Sequence, residues 1–357
     1  MTSITLDRAP ARAPSPRIAD DKAMIRAAAD LTRELSTPRP AIYWADLVAS
    51  AAIGYAALVV ATLVDGTGLT IAAGIVATLA LYRAMSFIHE VSHMKHAVLP
   101  GFRAGWNALV GVPMLIPSFM YEGVHYLHHA KTRYGTVEDP EYLPLALMKP
   151  WTLPVFIIVS ALAPVALLFR FAVLSPVSLL SARLRKAVVE RYSALAINPQ
   201  FRRRMPEGEA LRLWNRIETA ASLWAITLVT LAATGVLPLP AFLVILAIAS
   251  AVAVLNQVRT LVAHLWENEG EPMSVTAQYL DTVNVPPPTL LPALWAPVGL
   301  RYHALHHLLP SVPYHALGEA HRRLSAMLEA DSPYHKASYS GLPRLVGRIA
   351  RSTMLKR

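Results

Sequence analysis

The sequence predicts an all-α membrane protein: two transmembrane helical hairpins, additional interfacial or re-entrant segments, and a cytosolic histidine-rich cap. Three observations lead there. Of 357 residues, 54% are hydrophobic and 16% charged, with a mean hydropathy of +0.40, whereas soluble domains carry about 25% charged residues. Apolar stretches of about 20 residues, enough to cross a bilayer core, come in pairs joined by short turns. The 13 histidines, in a chain with no cysteine, gather at the ends of those stretches and in polar segments. Zero cysteine excludes thiolate zinc sites, iron–sulfur clusters, disulfides and cysteine nucleophiles within the chain. The formal charge of +10 suits basic cytoplasmic faces against anionic lipid better than nucleic acid, because the basic residues flank apolar spans.

Residues 1–40 read as a basic cytosolic N-terminal tail rich in Ala, Pro and Arg. No short apolar core follows its first charges, so it is not a cleaved signal peptide. Residues 20–36 could form an amphipathic helix through Ile25, Leu31 and Leu35; a disordered tail is the alternative. Residues 41–64 make the first span, with Tyr43 and Trp44 at interface depth. The Asp65–Gly68 turn leads into the second span, 69–88, where Arg83 can snorkel to the interface. Residues 104–120 are apolar but broken by Gly105, Gly111, Pro113 and Pro117. They read as an interfacial or re-entrant piece that returns the chain to the same side. Residues 150–176 are apolar with Pro164 in the middle. A basic loop from Arg183 to Arg216 precedes a second hairpin, 217–237 and 240–262. The membrane domain spans 41–325, and 326–357 read as a basic cytosolic C-terminal tail.

The histidines define the site. His89 and His93 are spaced i, i+4. His125, His128 and His129 repeat the spacing of His303, His306 and His307, both reading His-x-x-His-His, so each set shares one helix face. His264 follows the last span. A metal takes about three to five imidazoles, so nine histidines fit two metals. Neutral imidazole suits iron, zinc, copper and nickel; two metals with open positions suit a dioxygen-activating di-iron centre. For His264 to join His129, the chain between them must cross the membrane an even number of times. The last hairpin supplies two crossings, so 150–176 must return to its starting side, as a proline-bent re-entrant segment or shallow hairpin. The positive-inside rule then places the Arg183–Arg216 loop and the histidines on the cytoplasmic face.

His89-x-x-x-His93, His125-x-x-His128-His129 and His303-x-x-His306-His307 resemble the three histidine boxes of the integral-membrane fatty acid desaturase superfamily, which also includes membrane hydroxylases, carotenoid ketolases and alkane monooxygenases. The resemblance covers residues 40 to 325. Tyr134–Pro144 and Pro297–His315 are similar to segments of bacterial lipid desaturases. It implies a bacterial inner-membrane enzyme with both termini cytoplasmic, two Fe ions and dioxygen as co-substrate. It further implies His264 as a ligand and electrons from a separate donor such as ferredoxin. The expected reaction is desaturation of a fatty acyl or related lipid chain; hydroxylation or ketolation of lipid, alkane or carotenoid is the alternative, since the same centre serves each. In relatives an Asn four residues before the equivalent of His264 holds a metal-bound water; here that position is Thr260. Asp139, Thr260, Asn268 and His315 are the candidates to support the ligands from behind, with Glu90, Glu122, Glu138, Glu267 and Asp281 as further carboxylates near the boxes.

Two other readings compete. His89-Glu90-x-x-His93 matches the zinc-protease motif with Glu90 as general base, but that chemistry needs one more ligand, not seven. A metal transporter would place its histidines at the bilayer midplane, whereas these lie at span ends. His96, His321 and His335 read as surface or packing histidines.

Overall fold

A computed structural model describes residues 18–94, 97–145, 148–289 and 291–355; Lys95, His96 and the first 17 residues of the tail lie outside them. Helix α1 (Lys22–Leu35) starts where Asp21 accepts the N–H groups of Ala23 and Met24 (2.9 and 3.1 Å), two of the donors a helix start leaves open. Its buried residues are Met24, Ala28 and Leu31. The apolar seam therefore includes Met24 and Ala28, while Ile25 stands half-exposed at its edge.

Helices α2 (Pro40–Leu63) and α3 (Thr67–His93) form the first hairpin. Gly54 lets them touch: a Cβ there would sit 2.7 Å from the Leu81 side chain. Arg83 does not snorkel. It turns inward to a bidentate pair with Asp46 on α2 (both contacts 2.6 Å), since a partner inside the helix pair satisfies the guanidinium better than a distant interface. Val48, Ile53, Val59, Ile71 and Ile75 stay exposed, as expected of side chains facing lipid.

The segment after α3 doubles back on itself. Helix α4 (Phe102–Trp106) passes into a π-turn over Asn107–Gly111, and the chain reverses before Ser118. Asn107 clips the two limbs together: its side chain accepts from the Ser118 N–H and donates to the Ser118 hydroxyl, both at 2.9 Å. Trp106 donates to the Ala84 carbonyl (2.9 Å). Helix α5 (His125–His128) follows directly.

Among the described residues, five helical runs are long and apolar enough to cross a membrane, including Thr152–Ser178. That run comprises α6 (Thr152–Ile158), a 3-10 turn, α7 (Ala163–Phe169), a π-turn and α8 (Ser175–Ser178). Leu153 packs with Leu261 and Trp266 at one end. At the other, Arg170 donates to the Tyr192 carbonyl and Ser193 hydroxyl (3.0 and 2.7 Å), while Leu195 N–H bonds the Met120 carbonyl beside α5 (2.8 Å). The run is one helical rod and not a hairpin, and by length and composition it is long enough to cross a membrane. Pro164 does not break it, because it falls in the first turn of α7, where its missing N–H costs nothing.

Helix α9 (Ala182–Tyr192) precedes the second hairpin, α10 (Gly208–Ala233) and α11 (Leu239–Leu261). The cap holds α12 (Val275–Asp281), α13 (Pro292–Trp295), α14 (His303–Leu308), α15 (Leu317–Met327) and α16 (Leu342–Ala350). Both terminal segments pack onto it: Met24 and Leu31 of α1 lie against Leu317 and Leu324 of α15, and Leu345 and Ile349 of α16 are buried beside Val283 and Val285.

Candidate metal centre

Each histidine arrives from a defined end. His89 and His93 occupy the last turn of α3, His125 and His128 lie on α5, and α14 opens with His303. His264 is turned inward by the chain just past α11. It bridges to Thr282, and Trp266, held at φ 63°, donates its indole N–H to the Leu261 carbonyl (2.7 Å). A bulky residue in the left-handed region is uncommon and marks a backbone held by its surroundings.

All nine predicted histidines converge. His89, His93, His125, His129 and His306 form one group and His128, His264, His303 and His307 another, each with ligand atoms within 4.8 Å of one another. The groups adjoin, with the His129 and His307 rings stacked at 4.2 Å. Nε2 faces Nε2 at 2.9 Å for His93–His306, 3.0 Å for His125–His129, 3.1 Å for His264–His303 and 3.2 Å for His303–His307. Two nitrogens bound at about 2.1 Å to one metal, near a right angle, stand about 3.0 Å apart. Both ring nitrogens of His89 and Nε2 of His128 are buried without a protein partner, a costly state unless a cation takes them. The donor set therefore fits two metal ions.

The supports behind the rings set their tautomers. His128 Nδ1–H donates to Asp139 (2.9 and 3.0 Å), a fully buried carboxylate also held by the Gly135 and Glu141 N–H groups (2.9 and 2.8 Å). His125 Nδ1–H donates to Glu141 (2.8 Å), which also accepts from Tyr121 (2.8 Å). His264 Nδ1–H donates to the Tyr134 hydroxyl (2.9 Å), which donates onward to Asp281 (2.7 Å). Burial pushes His125, His129, His264, His303, His306 and His307 well below the usual imidazole range, so they are neutral, the form that binds metal. Burial also pushes His128 down, but Asp139 outweighs it and raises the ring, which keeps a proton on Nδ1. Burial lifts Glu141 and Asp281 each to about 7.

Asp139 thus stands where the sequence places it. Asp281 also reaches the site, through Tyr134. Asn268, Thr260, His315 and Glu90 do not, among the described residues. Asn268 ties the Gly135 and Glu271 carbonyls together (both 2.9 Å) and no histidine. Thr260 gives its carbonyl to Ala263 N–H (3.2 Å) and, among the described residues, its hydroxyl bonds no histidine. His315 accepts from the Arg39 N–H (3.1 Å) and lies edge-on to Tyr43. Glu90 is engaged by the Tyr43 hydroxyl and by Tyr314 N–H (3.2 Å), so it is not free to serve as a protease base. Glu141, Tyr121 and Tyr134 were missed by spacing arguments, although Tyr121 stands four residues before His125, the same helical interval that marks the histidines.

Comparison with known proteins agrees with this geometry. The fatty acid desaturase family pattern matches residues 67–339. The chain is also 48% identical, over 340 residues covering 95% of it and 97% of the relative, to a ceramide hydroxylase of Caulobacter vibrioides (strain NA1000 / CB15N). The chain belongs to the fatty acid desaturase family, whose members are membrane di-iron enzymes.

Proposed function

We propose that the protein is a dioxygen-dependent hydroxylase acting on the hydrocarbon part of a ceramide-type lipid, with the nine histidines as ligands of two irons. The observation that carries this reading is the 48% identity, along nearly the whole chain, to a ceramide hydroxylase. The overall balance is C–H plus dioxygen plus two electrons and two protons giving C–OH and water. The electrons come from a separate one-electron donor such as a ferredoxin-type protein. Bound iron supplies the oxidising power that an unactivated C–H bond demands.

The chain's residues do the rest. Asp139, Glu141 and the Tyr134–Asp281 pair hold protons on the outer Nδ1 atoms of His128, His125 and His264, which aims each Nε2 inward. Buried Leu261, Val262, Leu265 and Trp266 wall the site with apolar surface, keeping water from the reacting carbon. Exposed Arg183, Lys186, Arg191, Arg202 and Arg204 lie in the segment that packs beside Met120 on the histidine side, which supports a cytoplasmic placement of the site at a bacterial inner membrane.

Desaturation of a fatty acyl chain is the second reading, favoured by the family match. Expression in a host of known lipid content under 18O-labelled dioxygen, with mass spectrometry of total lipids, separates the two. A hydroxylated ceramide carrying one 18O, absent with His306→Ala, is the expected product. A new double bond without label would move the assignment to desaturase.

A further inference from the structure

His128 and His264 belong to the same four-histidine group, yet they are supported differently. His128 meets its carboxylate, Asp139, directly. Behind His264 a phenol is interposed: Tyr134 accepts from His264 Nδ1 (2.9 Å) and donates to Asp281 (2.7 Å). A second phenol, Tyr142, lies against the same carboxylate. Its hydroxyl accepts the Asn268 N–H (3.1 Å), which leaves its own proton for Asp281. The two tyrosine rings stand 5.5 Å apart, and both are buried, as is Asp281. Orienting one imidazole needs one acceptor, so the second phenol is surplus to that task. The five-histidine group is built otherwise. There Tyr121 stacks on His125 at 4.7 Å and donates to Glu141 (2.8 Å), and among the described residues no second tyrosine or tryptophan ring stacks with it.

The inner end of this tyrosine pair touches a metal ligand, and its outer end lies near solvent. Asn268, which holds the Tyr142 hydroxyl, sits between Glu267 and Glu269, both exposed. An oxidant able to break an unactivated C–H bond is also able to break a phenolic O–H, which is the weaker bond. A phenol gives up its electron readily when its proton has an acceptor at hand, and Asp281 provides one at 2.7 Å. Aromatic side chains carry oxidising equivalents outward. An electron from a low-potential donor finds no low-lying orbital on a phenol, so the pair does not serve the inward supply. Side reactions of a strong oxidant must be contained whenever the target C–H bond is absent, and two phenols sharing one carboxylate are built to do so.

We propose that Tyr134, Asp281 and Tyr142 form a protective relay that carries an oxidising equivalent away from the metal pair when dioxygen reacts there without a substrate in place. In the first step one electron leaves Tyr134 for the oxidised metal pair and the phenolic proton passes to Asp281, leaving a neutral phenoxyl radical. In the second an electron passes from Tyr142 to Tyr134, while Tyr142 gives its proton to Asp281 and Asp281 returns one to Tyr134. The radical then stands on Tyr142, where one electron from the separate donor and the proton held on Asp281 restore the phenol. The inference rests on the di-iron reading above and gives these residues a role apart from product formation. The test uses the full-length, iron-loaded protein in a fluorinated surfactant without added lipid, chemically reduced, exposed to dioxygen and frozen at successive times for electron paramagnetic resonance. Wild type is expected to give an organic radical whose spectrum changes when the protein is made with ring-deuterated tyrosine. Tyr134→Phe and Asp281→Asn are expected to lose the signal and Tyr121→Phe to keep it. Tyr142→Phe removes a hydroxyl that bonds no histidine; it should hold the radical at Tyr134 and slow its decay several-fold. A tyrosine that only orients His264 gives no radical. No radical in wild type, a signal indifferent to deuterated tyrosine, a signal that survives Tyr134→Phe, or its loss in Tyr121→Phe each overturns the proposal. Should Tyr134→Phe and Asp281→Asn be recovered without iron, Tyr142→Phe decides: decay at the wild-type rate overturns the relay. If wild type binds no iron or consumes no dioxygen, the di-iron reading fails; if it does both and forms no tyrosine radical, only the relay fails.

Discussion

In the box at 125–129, the outer histidines His125 and His129 belong to the five-histidine group and His128 to the four; in the box at 303–307, His303 and His307 belong to the four and His306 to the five. The sequences have the same spacing and the assignments are inverted. Helix geometry explains the division. At about 100° per residue, position i+4 stands about 40° to one side of position i and i+3 about 60° to the other. Each short helix therefore aims two rings at one metal position and one at its neighbour. The inversion means both groups are built across both boxes, so neither can form until α5 and α14 meet. The groups still differ. The five take a second helical pair, His89 and His93, from α3; the four take only His264.

This contrast can be broken from either direction. The largest effect belongs to the ligands. His264→Ala leaves the smaller group three rings and should abolish product and lower bound iron from about two per chain to about one, read by elemental analysis of purified protein. His93→Ala should also abolish product, with the loss falling on the other group. Next come the supporting carboxylates, where losses of about 10- to 100-fold in activity or metal affinity are expected. Asp139→Asn should cost more than Glu141→Gln, because Asp139 is fully buried and holds Gly135 and Glu141 N–H groups besides His128; a competition titration with a chelator ranks them. Gly135 sits at φ 70°, and a Cβ there would lie 2.6 Å from Asn268 Nδ2. Gly135→Ala should therefore destabilise by about 1–3 kcal/mol, seen as an earlier thermal transition in detergent. His315→Ala should change turnover less than about twofold, since it touches no ligand and substitutions of that kind are mild.

Much of this was legible from the chain. Two His-x-x-His-His stretches, His89/His93 and a histidine just past a span marked which rings meet, because helical periodicity acts on short, local patterns. The segment that doubles back after α3 was visible in its glycines and prolines. What escaped depends on tertiary contact. Glu141 lies in a turn with no periodicity, and only the fold brings its carboxylate to His125. Arg83 reads like a snorkelling arginine until Asp46 is seen beside it. Composition could not say that Pro164 would fall in a first helical turn and leave Thr152–Ser178 one continuous rod.

The central claim, two inequivalent metals divided by the i+3 crossing, is tested most directly by Mössbauer spectroscopy of 57Fe-loaded protein. Wild type should show about two irons per chain as two doublets of equal area. His128→Ala should remove one doublet and the adjacent His129→Ala should perturb the other. A single iron per chain, or both neighbours acting on the same doublet, would contradict the account.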